Sequence, residues 1–79
     1  MTVHSPVHEV VAIGNQSLIA GFALAGVRLC PASSATEVRA AWHSVSRTAA
    51  VVILTRSAAD AVGEEQTAPQ APLTVVMPA

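Results

Sequence analysis

Four short runs of apolar residues recur along the chain, and segments that mix small, polar and apolar residues separate them. Runs of β-branched residues are typical of strands that are buried on both faces of a sheet. The intervening segments repeat apolar residues with the period of a helix that has one buried face. The pattern predicts strands at Glu9–Ile13, Val27–Cys30, Ala50–Thr55 and Leu73–Met77, and helices at Gln16–Ala25, Ala35–Arg47 and Ser57–Val62.

Residues that cap helices or close strands support these boundaries. Gly26 follows the first helix, in the position where glycine commonly ends a helix. Ser34 and Glu37 have the spacing of a capping box, in which the hydroxyl and the carboxylate each accept a hydrogen bond from a free backbone N–H. Pro31 closes the second strand, and the proline-containing segment Glu64–Pro72 is predicted to be an exposed loop.

The second helix is amphipathic. Val38, Trp42 and Val45 fall on one stripe at helical spacing. A large aromatic residue on such a stripe is usually part of the core, so we expect Trp42 to be buried against the sheet.

Strands that alternate with helices indicate a parallel sheet. Glu9–Ile13 and Ala50–Thr55 should be central because they are apolar on both faces, and the short strand Val27–Cys30 should lie at an edge. Right-handed crossovers then give the strand order 2-1-3-4, with the first helix on one face and the other two helices on the opposite face. The sequence therefore predicts an α/β fold, a small Rossmann-like, doubly wound parallel sheet of four strands with three crossover helices.

The first helix is too short to cover its whole face of the sheet. Apolar side chains at alternate positions of Val51–Leu54 and Leu73–Met77 are expected to remain uncovered there. The sequence does not decide which of the alternate positions face this side. Because exposed apolar patches beyond roughly several hundred Å² mark interaction sites, we expect self-association, or pairing with a partner protein, through this face.

Composition narrows the class of protein. The 79 residues are sufficient for a single domain, 1–79, in which 1–8 are expected to form a flexible leader. Gly14–Ser17 interrupts the longest apolar stretch before it reaches the ~18 residues of a membrane span, so no direct membrane insertion is expected. The one cysteine, Cys30, and the lack of a secretory signal favour a cytoplasmic location. A net charge of −1, with no lysine, argues against binding nucleic acid.

The polar residues that follow the first and third strands are the candidates for a ligand site. Open α/β sheets bind ligands at the carboxyl ends of the strands where the strand order reverses. The predicted order brings Gly14, Asn15 and Gln16 to this switch point, with Arg56 beside them. The segment lacks the glycine spacing and the lysine of a phosphate-binding loop. An ordinary turn for the first three residues, and a solvated loop arginine for Arg56, are the stronger interpretations.

Other catalytic or metal-binding patterns are weak, and no catalytic residue, cofactor or metal is predicted. His4, His8 and His43 do not have the spacing of metal ligands. No pair of carboxylates is placed for acid–base catalysis, and no serine lies in a nucleophile elbow. A response-regulator receiver would have this topology, but it would need an aspartate where the third strand of this chain ends in Thr55.

Three segments carry a family resemblance: GFALAG at Gly21–Gly26, ASSA at Ala32–Ala35 and PLTVVMP at Pro72–Pro78. Together they resemble the F subunit of the V/A-type rotary ATPases, from about residue 10 to residue 78. The resemblance implies a non-catalytic protein of the central stalk. Such a protein binds the coiled-coil shaft subunit and couples ATP hydrolysis or synthesis to proton or sodium transport, while the ATP sites lie on other subunits.

The family continues beyond its last strand into a C-terminal helical segment, so the resemblance implies a shortened form. The alternative is a stand-alone Rossmann-like domain that binds another protein, or a small ligand, at the switch point Gly14–Ser17.

Overall fold

A computed structural model describes residues 9–78 as one four-stranded sheet with helices on both faces. The leader expected at residues 1–8 lies outside the described residues. The strands are β1 (Glu9–Gly14), β2 (Arg28–Pro31), β3 (Ala49–Leu54) and β4 (Leu73–Val76), and the α-helices are α1 (Gln16–Ile19), α2 (Ala35–Val45) and α3 (Arg56–Val62). Two 3-10 segments follow α1 and α3, at Ala20–Ala25 and Gly63–Thr67.

All neighbouring strands are parallel, and their order is β2-β1-β3-β4. The predicted fold class and strand order are therefore confirmed. The registers pair Ile13 of β1 with Cys30 on one side and with Leu54 on the other. The two central strands are the ones whose apolar runs indicated burial on both faces.

The main core lies between the sheet and the pair α2 and α3. Val11 and Ile13 of β1 and Val52 and Leu54 of β3 point into it. Trp42 of α2 packs on these strands with only 3% of its surface exposed. The helix phase predicted from the sequence is thus confirmed, and this layer supplies most of the buried apolar area that stabilises the domain.

The first crossover differs from its prediction. The segment expected to be a helix over Gln16–Ala25 is α-helical only for one turn, and the rest is a 3-10 helix. No residue of this 3-10 segment is buried, and packing against the rest of the fold is what usually stabilises an α-helix. Gly26 ends the segment in the left-handed conformation (φ 79°), as its sequence position indicated.

The third crossover also contains structure that the sequence did not reveal. The predicted loop Glu64–Pro72 begins with a turn of 3-10 helix. The side-chain amide of Gln66 donates hydrogen bonds to the carbonyl oxygens of Ala59 (2.9 Å) and Gly63 (3.2 Å). These bonds hold the segment against the end of α3.

Within residues 9–78 the longest α-helix has 11 residues, and none of the helices is long and apolar enough to cross a bilayer.

Replacement of Trp42 by alanine should lower the free energy of unfolding by about 3–5 kcal/mol, because it leaves a large cavity in the main core. Leu24→Ala is the control: Leu24 is 96% exposed, and its truncation should change stability by less than about 0.5 kcal/mol. Urea denaturation followed by circular dichroism measures both. Equal stability of the two variants would contradict the described core.

Candidate functional site

The switch point lies where β1 and β3 end side by side. Gly14 ends β1, Asn15 caps α1, and Thr55 caps α3. Gln16 and Arg56, the first residues of α1 and α3, are exposed. The structure therefore brings Gly14, Asn15 and the start of α3 to one edge of the sheet, as the strand order requires.

The polar atoms at this edge already serve as helix caps. The side-chain oxygen Oδ1 of Asn15 accepts hydrogen bonds from the backbone N–H of Ser17 (3.0 Å) and from its hydroxyl (2.7 Å). The hydroxyl of Thr55 accepts from the backbone N–H of Ala58 (3.2 Å). Caps of this kind satisfy free N–H groups at the start of a helix. They account for Asn15 and Thr55 without any ligand.

Thr55 also fills the crevice between the two strands. It is buried, and its side chain lies so close to the backbone of Gly14 that a Cβ at position 14 would overlap it. Gly14 has a φ of 154°, which side-chain-bearing residues rarely adopt. Sequence reasoning identified Gly14 as part of the switch point, where an ordinary turn was a stronger interpretation than a ligand site, and missed its contact with Thr55. The sequence did contain a signal for the role of Thr55 as a cap, because a threonine between a buried strand and a helix is typical of an N-cap.

A neighbouring cleft of about 300 Å³ opens beside α2. Its lining includes Asn15, Ser33, Ser34 and Ser57, together with small apolar side chains. Basic residues are not among the side chains that line it. Small-ligand pockets depend on a few polar groups that converge and are free to bind. Two of these serines serve the cap of α2 instead.

The cap of α2 is a modified capping box. The hydroxyl of Ser34 accepts a hydrogen bond from the backbone N–H of Glu37 (3.1 Å), as predicted. The carboxylate of Glu37 returns to Ser33 rather than to Ser34, accepting from its backbone N–H (2.9 Å) and its hydroxyl (3.1 Å). These bonds favour the charged form and lower the pKa of Glu37. The carboxylate thus has a structural role at the helix N-terminus.

The remaining candidate groups are scattered. His43 approaches Glu65 (Nε2 to Oε1, 3.6 Å) on the surface above a cleft of about 510 Å³ that Trp42 and Arg47 help to line. Cys30 is a half-buried free thiol, and burial raises its pKa, so it is protonated near neutral pH. Among residues 9–78, no three histidine, cysteine or acidic side chains lie close enough to share a metal ion. His4 and His8 are outside the described residues.

An apolar surface lies on the opposite face of the sheet. The segment formed by α1 and the following 3-10 helix packs on β1 and β2. Beside it, Leu73 and Val75 of β4 are 68% and 47% exposed, and their register partners Val51 and Ile53 of β3 are only partly buried. We call the surface formed by these four residues the β3–β4 shelf. The under-covered face expected from the sequence is present, and the structure identifies the alternate positions that form it.

The sequence model of one family, described as ATP synthase (F/14-kDa) subunit, matches residues 10–79. The chain belongs to this family. The match includes all four strands and the three α-helices, with the exception of Glu9 at the start of β1. No curated protein matches the chain.

Family membership confirms the resemblance drawn from three segments of the sequence, the first of which is GFALAG. That segment, Gly21–Gly26, forms the 3-10 helix and its glycine cap. Its small residues shape the first crossover and carry no reactive group. The match therefore assigns the chain to a subunit of a rotary complex without assigning it catalytic residues. The ligand site suggested for Gly14–Gln16 and Arg56 stays a prediction.

Gly14→Ala should destabilise the chain by about 1–3 kcal/mol, because the added methyl group meets Thr55 in a tightly packed position. Gly21→Ala is the matched control: a Cβ there meets nothing within 4 Å, and little change is expected. Thr55→Ser keeps the capping hydroxyl but removes the nearest methyl group, so it should recover part of the loss in the double variant. Urea midpoints of the four proteins and the wild type measure this coupling. Strict additivity would contradict the contact.

The lowered pKa of Glu37 predicts a pH-dependent contribution to stability. A carboxylate whose pKa is depressed by folding stabilises the chain above its unfolded pKa, and this contribution is lost as the pH falls through the folded pKa. Glu37→Gln should therefore melt below the wild type at pH 7, and the difference should shrink towards pH 3. Glu64→Gln, which removes a charge outside the cap, is the control. A gap for Glu37→Gln that is constant with pH would argue against the cap.

Proposed function

We propose that the chain is a non-catalytic central-stalk subunit of a V/A-type rotary ATPase. In this role it binds the coiled-coil shaft subunit and helps to couple ATP hydrolysis or synthesis to ion transport. The observation that supports the proposal most strongly is the match of the F/14-kDa family to residues 10–79, which include all of the described fold except Glu9.

The chemistry of the described residues agrees with a binding role. At the carboxyl edge of the sheet, Asn15, Ser34 and Thr55 are hydrogen-bonded as helix caps. The sheet face that α1 only partly covers carries the exposed apolar β3–β4 shelf, and such a surface in a folded protein marks an interaction site. A subunit that transmits rotation needs a stable contact with the shaft. Such a contact does not require reactive side chains.

We further propose that residues 1–79 act as a single domain. Within the assembled ATPase it would occupy a peripheral position on the cytoplasmic side, held through protein contacts.

The test is co-expression with the coiled-coil shaft subunit encoded in the same genome, followed by affinity purification through a tag on the shaft. We expect a 1:1 complex with a Kd of micromolar or tighter, which corresponds to about −8 kcal/mol or better. Calorimetry with ATP is the comparison arm, and no binding tighter than about 1 mM, or −4 kcal/mol, is expected. Micromolar ATP binding without any binding to the shaft would favour the ligand-binding alternative at Gly14–Ser17 and overturn the proposal.

A further inference from the structure

The third crossover passes beside α2 on its way from α3 to β4, and its middle part is weakly packed. We call residues 63–70 the strap. The residues on either side of it are anchored, since Val62 is 5% exposed and Ala71 packs against the main core. Between these anchors the strap contributes no buried residue. A segment without buried side chains gains little free energy from packing, so its position depends on its hydrogen bonds.

One side chain makes the main polar link between the strap and the helices. The amide of Gln66 donates a hydrogen bond to the carbonyl oxygen of Ala59 in α3 (2.9 Å). The ion pair of Glu65 with His43 of α2 is longer (3.6 Å) and lies on the surface, where such pairs contribute little. Other hydrogen bonds, such as that from the N–H of Ala68 to the carbonyl oxygen of Glu65 (3.3 Å), join strap residues to one another. The bond from Gln66 to Ala59 is therefore the clasp of the strap.

A cleft of about 510 Å³ separates the strap from α2. Its lining consists of Trp42, Ser46 and Arg47 on the side of α2, and of Glu65, Ala68, Gln70 and Ala71 on the side of the crossover. Because protein interiors are close-packed, a space of this size means that the strap and the helix are in incomplete contact. Trp42 thus lies at the boundary between the main core and this cleft.

The start of the strap is suited to a hinge. Gly63 has a φ of 65° and a ψ of −136°, a combination that residues with a side chain rarely adopt. A Cβ at this position would meet nothing within 4 Å, so the surroundings do not hold the backbone in place. Hinges are a few residues at the ends of elements that absorb changes in φ and ψ. Gly63, at the end of α3, is such a residue.

We infer that the strap detaches from α2 and α3 and unwinds while the sheet and the three α-helices stay folded. The clasp from Gln66 to Ala59 keeps it closed, and its release exposes the indole of Trp42 to solvent. A single turn of 3-10 helix is not stable in water without its contacts, so detachment and unwinding occur together. The third crossover is therefore a gate over Trp42, and this inference does not depend on the proposed function.

The first test uses Trp42, the one tryptophan of the chain, as the reporter. Gln66→Ala removes the clasp. Gln70→Ala is the matched control, because Gln70 is an exposed glutamine of the same strap that lines the cleft. We expect acrylamide quenching of Trp42 fluorescence to rise at least about twofold in Gln66→Ala and to change by less than about a fifth in Gln70→Ala. A cooperative urea transition, followed by circular dichroism, establishes that each variant is folded.

The second test is native-state hydrogen exchange, which also applies to the wild type. The backbone N–H groups of Ala68 and Ala71 are hydrogen-bonded to carbonyl oxygens of the strap. Local opening exposes little surface, so we expect their exchange to be nearly independent of low concentrations of urea. Exchange of the N–H groups of β1 requires global unfolding and should increase steeply with urea. In Gln66→Ala the exchange of Ala68 and Ala71 should be at least about tenfold faster than in Gln70→Ala.

Two results would overturn the inference. Equal quenching of Trp42 in Gln66→Ala and Gln70→Ala would show that the bond from Gln66 does not hold the strap over the indole. Exchange of Ala68 and Ala71 with the same urea dependence as that of β1 would show that the strap opens only when the whole domain unfolds. The wild-type exchange measurement decides the second point even if Gln66→Ala fails to fold.

Discussion

The handedness of the crossovers is the constraint on which the rest of the structure depends. In a parallel sheet of order β2-β1-β3-β4, right-handed connections place α1 on one face and both α2 and α3 on the other. The long amphipathic helix α2, which contains Trp42, packs on the face that has two helices. The one-helix face receives a single α-helical turn and a 3-10 segment. The main core and the uncovered shelf are therefore two results of one topology.

Much of this architecture could be predicted because it depends on strong local patterns. The β-branched runs of β1 and β3 indicated central strands, and the spacing of Val38, Trp42 and Val45 gave the phase of α2. The features that the sequence did not reveal depend on distances between elements. Nothing local states that Thr55 packs on Gly14, or that Val75 rather than Val76 faces the shelf, because either phase of a four-residue strand is compatible with an apolar run.

The carboxyl edge of the sheet shows why its polar residues were ambiguous in the sequence. Asparagine, serine and threonine after a strand occur both in ligand sites and, more often, in ordinary turns and helix caps. Here the hydrogen bonds of Asn15, Ser34 and Thr55 go to the first turns of the helices that they precede. The assignment to a family came instead from the match over residues 10–79, and the Gly21–Gly26 segment that contributed to the resemblance carries no reactive side chain.

The two edges of the sheet are unequal. On β2, exposed Arg28 pairs with Glu9 (3.3 Å), and charges of this kind discourage a foreign strand from adding to an edge. β4 has no charged residue and combines its open edge with the exposed side chains of Leu73 and Val75. Wherever this surface is left uncovered, it presents apolar side chains beside the unpaired backbone groups of an edge strand, the combination that promotes aggregation and recognition by quality-control machinery.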